Sequence, residues 1–233
     1  YAIEGITQMQ VDLRHDLDFT EGLKAMLRLD PDYLLLGEIR DPESARAAVV
    51  AAIGGRGLMS TLHSRDAVSV VTALRNWGLA NHEIAATLEV VVSQRLVRAL
   101  CAHCRQEVRL DGAASAWFDA LGLDAPERLF GPRGCDGCER VGYTGRTGVF
   151  EVWRLDERDL RAIADGEDEH RIRGRLVDGG HCLLIHVVLK KLSEGVTSFD
   201  EVRRLPGFFM ESRGRLRCRR KRGVRAGDRF QVA

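Results

Sequence analysis

Apolar positions in the first third of the chain fall into two kinds of run. In DFTEGLKAMLRLDP the apolar residues at 23, 26 and 27 recur at helical spacing, and Asp18 and Glu21 stand at the spacing of a capping box. That pattern predicts a helix over about 19–29, stopped by Asp30-Pro31. Tyr33, Leu34, Leu35 and Leu36 form instead an unbroken apolar run between Asp-Pro-Asp and Asp-Pro, the pattern of a strand buried on both faces. Asp41 as N-cap and Pro42 in the first turn open an alanine-rich helix that Gly54 and Gly55 end. GLMSTLH, residues 57–63, reads as a second short strand, and a helix follows from Asp66 to about Trp77.

A strand, a helix and a second strand in this order make a crossover unit, which sets the strands parallel in one sheet. Their carboxyl ends then share an edge, and ligands of open α/β sheets bind outside that edge. Glu38 leaves the first strand there and His63 leaves the second. Glu38 alone reads equally as a solvated turn residue. Two titratable residues arriving at one edge from separate strands weigh toward a site.

Asn81 caps a further amphipathic stretch with Ile84, Leu88, Val91 and Val92 on one face. SQRLVRALC continues that helix or turns into a strand, and its periodicity does not decide between them. VFEVW, 149–153, reads as a strand, and 156–205 is mostly helical in pattern. Beyond Pro206 no core-forming pattern appears, and there are no internal repeats.

Composition narrows the class. With 233 residues, 45% hydrophobic and 30% charged, the chain reads as a folded globular protein of one sizeable core or two modest ones. Its longest apolar stretches fall well short of a membrane span. The net charge of +1 conceals an asymmetry, since residues 212–227 hold eight Lys or Arg and no acid, and the remainder without them carries −7. A basic segment of that kind touches anionic surfaces or nucleic acid, or is simply a solvated, disordered end.

Six cysteines include two Cys-x-x-Cys pairs, Cys101 with Cys104 and Cys135 with Cys138. Two residues between thiols let one tight turn aim both sulfurs at a single ion, and two such turns complete a tetrahedron. Thiolate softness in that geometry favours Zn²⁺, and Gly134 and Gly137 suit the close second turn. The competing readings are a redox pair or unmetallated thiols. His103, inside the first pair, could substitute for a thiolate. Of the residues between the pairs, only Trp117, Phe118, Leu121 and Leu123 form an apolar cluster, so the metal is expected to supply much of the module's folding free energy. Zinc knuckles also serve nucleic-acid-binding modules, but here interleaved aromatic and basic residues are lacking.

GITQMQVD, DPDYLLLGEIRDPESA, STLHSRDA, SQRLVRALCAHC, GCDGC, GYTGRTGVFEV and EGVTSFDEV, in this order, resemble the secretion ATPases, above all those of type II secretion and type IV pilus extension. The resemblance runs from residue 3 to about 204 and implies an α/β fold. It implies the C-terminal part of a RecA-like P-loop NTPase domain with a four-Cys zinc module and a helical C-terminal subdomain. The segments expected are 1–98 for the partial ATPase core, 99–148 for the zinc module, 149–206 for the helical subdomain and 207–233 for a basic, disordered tail. GEIRD matches the Walker B segment, so Glu38 is the implied catalytic glutamate, and STLH matches the His box, so His63 is implied to act near the γ-phosphate. Arg28 and Arg40 match arginines of nucleotide contacts or subunit interfaces. Structural Zn²⁺ is implied, with ATP and Mg²⁺ in a complete protein. So are a homohexamer, inner-membrane platform or linker proteins as partners, no specific nucleic acid, and a cytoplasmic location at the inner membrane's inner face. The chain departs from the pattern in having no G-x-x-x-x-G-K-[ST], and Lys24 stands where the family usually has arginine. The expectation is therefore a C-terminal half, inactive alone; the alternative is a non-catalytic, zinc-stabilised module for partner docking or nucleic-acid binding.

Overall fold

The computed structural model describes residues 3–205 except 13, 15 and 16. In chain order its elements are α1 (Phe19–Leu27), β1 (Tyr33–Leu36), α2 (Pro42–Ile53), β2 (Gly57–Ser60), α3 (Ser69–Asn76), α4 (Asn81–Thr87) and β3 (Val90–Leu100). There follow β4 (Gln106–Val108), α5 (Gly112–Ala120), β5 (Leu129–Gly131), β6 (Tyr143–Arg154), α6 (Glu157–Ala164), α7 (Glu169–Asp178), α8 (Leu184–Ser193) and α9 (Phe199–Val202). They form two compact units. One takes the chain through Ser64, Val68–Val90 and Arg154–Glu169; the other takes Arg65–Ala67, Val91–Trp153 and the described residues from His170 onward. Among the described residues no helix is long and apolar enough to cross a membrane. The expected disordered segment 207–233 lies outside the described residues.

In the first unit the predicted crossover forms. β1 and β2 are parallel, with Tyr33 opposite Gly57 and Leu36 opposite Ser60. The helix starts are set by short acids: Asp18 accepts the Glu21 N–H at 2.8 Å, and Asp41 accepts that of Ser44 at 2.7 Å. The Ser44 hydroxyl returns to the Asp41 amide, closing a capping box. Leu23 of α1, Leu34 of β1 and Ala51 of α2 make a small core with Met26, Leu27, Ala47 and Leu58 around it. That core covers one face of β1 only. Leu34 and Leu36 are buried, whereas Leu35 is 76% exposed and Tyr33 is exposed as well, so the reading of a strand buried on both faces is corrected. Both α1 and α2 pack on the Leu34 side, and a four-residue apolar run carries no mark of which faces will be covered. The boundaries shift too: β2 ends at Ser60 and α3 begins at Ser69, leaving His63 in the connecting loop. Farther on, Arg75 of α3 donates to the carbonyls of Glu167 at 2.7 Å and Ile163 at 3.2 Å, tying that helix to the end of α6.

The predicted amphipathic helix from Asn81 stops at Thr87. Val91 and Val92 lie in β3, with Val91 buried and Val92 exposed in strand alternation. The undecided SQRLVRALC is therefore strand as far as Leu100. β3 pairs with β6. Backbone bonds from Leu155 N–H to Glu89 C=O and from Cys101 N–H to Gly142 C=O, each 3.0 Å, close its ends, so the two strands run in opposite directions. β6 is much longer than the predicted 149–153 and buries Val149, Glu151 and Trp153 on its inner side. Glu151 is a charged side chain in a core, 1% exposed. Its Oε2 accepts the Leu184 N–H at 3.1 Å at the start of α8, and His181 Nε2 lies 3.5 Å from Oε1.

The apolar cluster between the cysteine pairs has no core of its own. Phe118, Leu121, Leu123 and Leu129 join Val97, Val149 and residues of α8 and α9, including Val188, Leu192 and Val202, in one continuous core. Trp117 meets Phe118 and Phe199 edge-on at 5.0 and 5.3 Å.

Candidate active site and metal centre

The carboxyl edge of the parallel pair is held by backbone beyond the last strand residues. The Ile39 N–H donates to the Thr61 carbonyl at 2.8 Å, and the Thr61 hydroxyl donates to the Gly37 carbonyl at 2.8 Å. The segments after β1 and β2 are thus stitched together where Glu38 and His63 leave them. His63 Nε2 stands 2.9 Å from Glu38 Oε1, an ion pair when the imidazole is protonated. Arg40 holds the other oxygen: its Nε donates to Glu38 Oε2 at 2.6 Å and a terminal nitrogen lies 2.5 Å away. Glu38 is largely shielded, while His63 and Arg40 face outward. The Arg40 hydrogen bond holds the Glu38 carboxyl below the usual carboxylate range. Burial opposes this, and the charges of Arg40 and His63 reinforce it.

Of the four residues named for catalysis, nucleotide contacts or a subunit interface, Glu38, His63 and Arg40 come together. Arg28 does not: it caps the C-terminus of α1 and is exposed, and among the described residues its guanidinium makes no hydrogen bond or ion pair. Lys24 pairs with Glu21 at 2.7 Å on the same helix. Thr61 was missed. Its signal was its place just past β2, opposite Gly37 when the parallel register is continued by one residue.

The arrangement sets an ionised carboxylate beside two cationic or proton-bearing groups. Such a set can orient water and offset charge on a transferred phosphoryl group. Exposed Arg40 and His63 fit one end of a polyphosphate; the backbone cradle for its remaining phosphates is not supplied by any Gly-rich Lys motif of this sequence.

The four cysteines of the two pairs converge in the second unit. Cys101 and Cys135 sulfurs are 3.9 Å apart, Cys104 and Cys138 3.8 Å, and Cys135 and Cys138 3.7 Å; all four lie within 4.8 Å of one another. Four thiolates about 2.3 Å from one Zn²⁺ stand about 3.8 Å apart along the edges of a tetrahedron. The quartet fits that ion, and all four thiols are free rather than disulfide-linked. His103 is exposed and outside the cluster. The second turn is a 3-10 turn at Asp136–Cys138. Gly134 there has φ +92°, and a Cβ would lie 2.5 Å from the Arg140 carbonyl oxygen, so glycine is required. Gly137 is not constrained in this way, since a Cβ would meet only the Cys135 sulfur at 3.8 Å. Backbone N–H groups of Cys135 and Gly142, both 3.2 Å from the Cys138 sulfur, bring that thiol down to about 7. Burial, with the neighbouring thiols, pushes Cys135 up to about 11.

A second set of side chains fastens this module to the C-terminal helices. Arg98 pairs with Glu201 at 2.7 Å and lies over the Tyr143 ring at 4.0 Å. The Tyr143 and Ser198 hydroxyls are 2.7 Å apart, and Thr197 donates to the Arg98 carbonyl at 2.9 Å. Arg105 reaches the Gly195 carbonyl at 2.6 Å.

Comparison with known proteins adds lineage to this geometry. A family model described as type II/IV secretion system protein matches residues 1–204. The chain is 39% identical over 212 residues to a putative type II secretion system protein E of Escherichia coli K12, covering 91% of this chain and 43% of that protein. It is 38% identical over 201 residues to the type IV pilus assembly ATPase TfpB of Acinetobacter baylyi, covering 85% of this chain and 34% of that one. The chain therefore spans less than half the length of these relatives. Among solved structures it resembles the ATPase DotB of Legionella pneumophila, with TM-score 0.55, 20% identity and coverage of 83% of this chain and 44% of that one. It also resembles the pilus retraction motor PilT with bound ADP, with TM-score 0.55, 17% identity and coverage of 79% and 42%. At those identities the structures speak for the fold alone.

Proposed function

The chain belongs to the type II/IV secretion system protein family, and from that premise we propose that it is the C-terminal part of an ATP-hydrolysing motor subunit serving type II secretion or type IV pilus assembly. In this reading residues 1–98 contribute part of a RecA-like core, 99–148 a structural zinc module and 149–206 a helical subdomain. Glu38 orients the attacking water, His63 and Arg40 face the phosphoryl group, and Arg28 serves a nucleotide contact or a subunit interface. Cys101, Cys104, Cys135 and Cys138 hold Zn²⁺, which is closed to solvent chemistry and takes no part in hydrolysis. ATP and Mg²⁺ act in the complete hexamer, which docks on platform or linker proteins at the cytoplasmic face of the inner membrane.

One observation carries the reading. Glu38 and His63 arrive from the ends of two paired parallel strands and meet at 2.9 Å, at the edge where α/β sheets bind ligands. The test supplies what the sequence does not carry. Joined to the upstream part of the Escherichia coli relative, the chain should hydrolyse ATP, and Glu38→Gln in that chimera should lower the rate on the order of 10²-fold or more. The 233-residue chain alone should show no steady turnover. Equal rates in the chimera and its Glu38→Gln variant would overturn the assignment.

A further inference from the structure

Glu38 has one oxygen held by a guanidinium and the other, buried and without a hydrogen bond, beside an imidazole. Oε2 takes the Arg40 guanidinium at 2.5 and 2.6 Å, and Oε1 faces His63 at 2.9 Å. The oxygen that Arg40 holds is not available to an incoming water, and a guanidinium so engaged has its fork turned away from phosphate. Carboxylate and phosphate are competing ligands for the same planar fork. The loop allows the exchange. Ile39 is pinned by its amide and is buried, whereas the Arg40 side chain is exposed and hinges about an anchored backbone.

We propose that Arg40 is a gate on Glu38: in the absence of a phosphate ligand it clamps the carboxylate, and a polyphosphate draws it off, freeing Glu38 as the phosphate arrives. Arg40 is then a positioning residue whose two ion pairs are mutually exclusive. This rests on the reading of Glu38 as the acid of a nucleotide site, and it adds to that reading a coupling between ligand arrival and release of the acid. The low-lying Glu38 carboxyl and the correspondingly stabilised charge on Arg40 are what such a clamp produces.

The experiment is a double-mutant cycle on the full chain with inorganic pyrophosphate as the probe. Affinity is read by phosphorus NMR, and the Glu38 carboxyl is followed by carbon NMR. Glu38→Gln should tighten pyrophosphate binding about two- to fivefold, the range open to an exposed ion pair. Part of any gain comes from removing a negative charge near an anion, so the decisive arm is the same substitution in an Arg40→Gln background. With Arg40 absent the gain should largely vanish. Saturating pyrophosphate should also move the Glu38 titration upward in the parent chain, and by much less in Arg40→Gln, where only the direct field of the anion remains. An equal gain with and without Arg40, or a Glu38 titration indifferent to pyrophosphate, would overturn the gate. Neither result bears on hydrolysis by the chimera, so the two readings fail separately.

Discussion

Replacing Cys135 with serine removes one of four sulfurs that stand 3.7–3.9 Å from their neighbours, at the least buried corner of the quartet. Serine offers no thiolate, so the shell drops to three and a structural zinc should be lost or held far more weakly. In zinc peptides with no other core the ion contributes about 10–16 kcal/mol to folding, and its loss unfolds them. This module differs, because Phe118, Leu121, Leu123 and Leu129 are buried against α8 and α9. At about 1.5–3 kcal/mol for each buried side chain, those four contribute roughly 6–12 kcal/mol toward keeping the segment docked without metal. The damage should therefore be local. Elemental analysis should give one zinc per chain in the parent and well under one in Cys135→Ser. Hydrogen exchange should rise over 101–104 and 134–142, while 114–129 and the β1–α2–β2 unit keep their protection. Unchanged zinc, or disulfides in its place, would refute the four-thiolate site. Loss of protection across 114–129 as well would refute the claim that the shared core holds that segment.

Phe118→Ala should cost about 3–5 kcal/mol, because the ring is 1% exposed and meets both Trp117 and Phe199; denaturant midpoints measure it, and a cost below about 1 kcal/mol would show that the cluster is not packed as described. The hydrogen bond from Arg98 holds the Glu201 carboxyl below its usual range, so the folded value lies under the unfolded one of about 4.3. The stabilisation is then present above that pH and fades as pH falls below it. With Arg98 partly exposed, the advantage of the parent over Glu201→Gln should be about 1 kcal/mol at pH 7 and lost as pH falls through the lowered folded value, and an advantage that grows with acid would reverse the sign of the argument.

The parts of this fold that were legible in the sequence are those fixed by neighbours a few residues away. Asp18 and Asp41 each cap the helix predicted just after them, because a short carboxylate reaches the amide three residues on whatever the rest of the chain does. The parallel pairing was legible for a related reason, since a short strand–helix–strand unit has one favoured hand and order. β3 was not. Ile84, Leu88, Val91 and Val92 fit a helical face, and what overrides that spacing is the pairing with β6, more than forty positions farther along. The run of three valines from Val90 was the local signal for strand, and it was outweighed by a period that happened to match.

The site divides along the same line. Glu38 and His63 could be brought together from sequence because the sheet edge is a consequence of topology, and the Thr61 stitch needs only the register that topology sets. Their chemical meaning could not be read that way, for an acid after a strand is commonplace, and its role came from resemblance. Arg40 was placed by resemblance too, yet its grip on Glu38 is a matter of a rotamer on an anchored loop, which no motif records. Glu151 shows the opposite case. An acid on the inward side of an apolar strand reads as a flaw until α8 supplies the Leu184 amide for its carboxylate. That amide comes from thirty-three positions away, past two intervening helices, so the residue that looks least suited to its strand is the one that receives the start of α8.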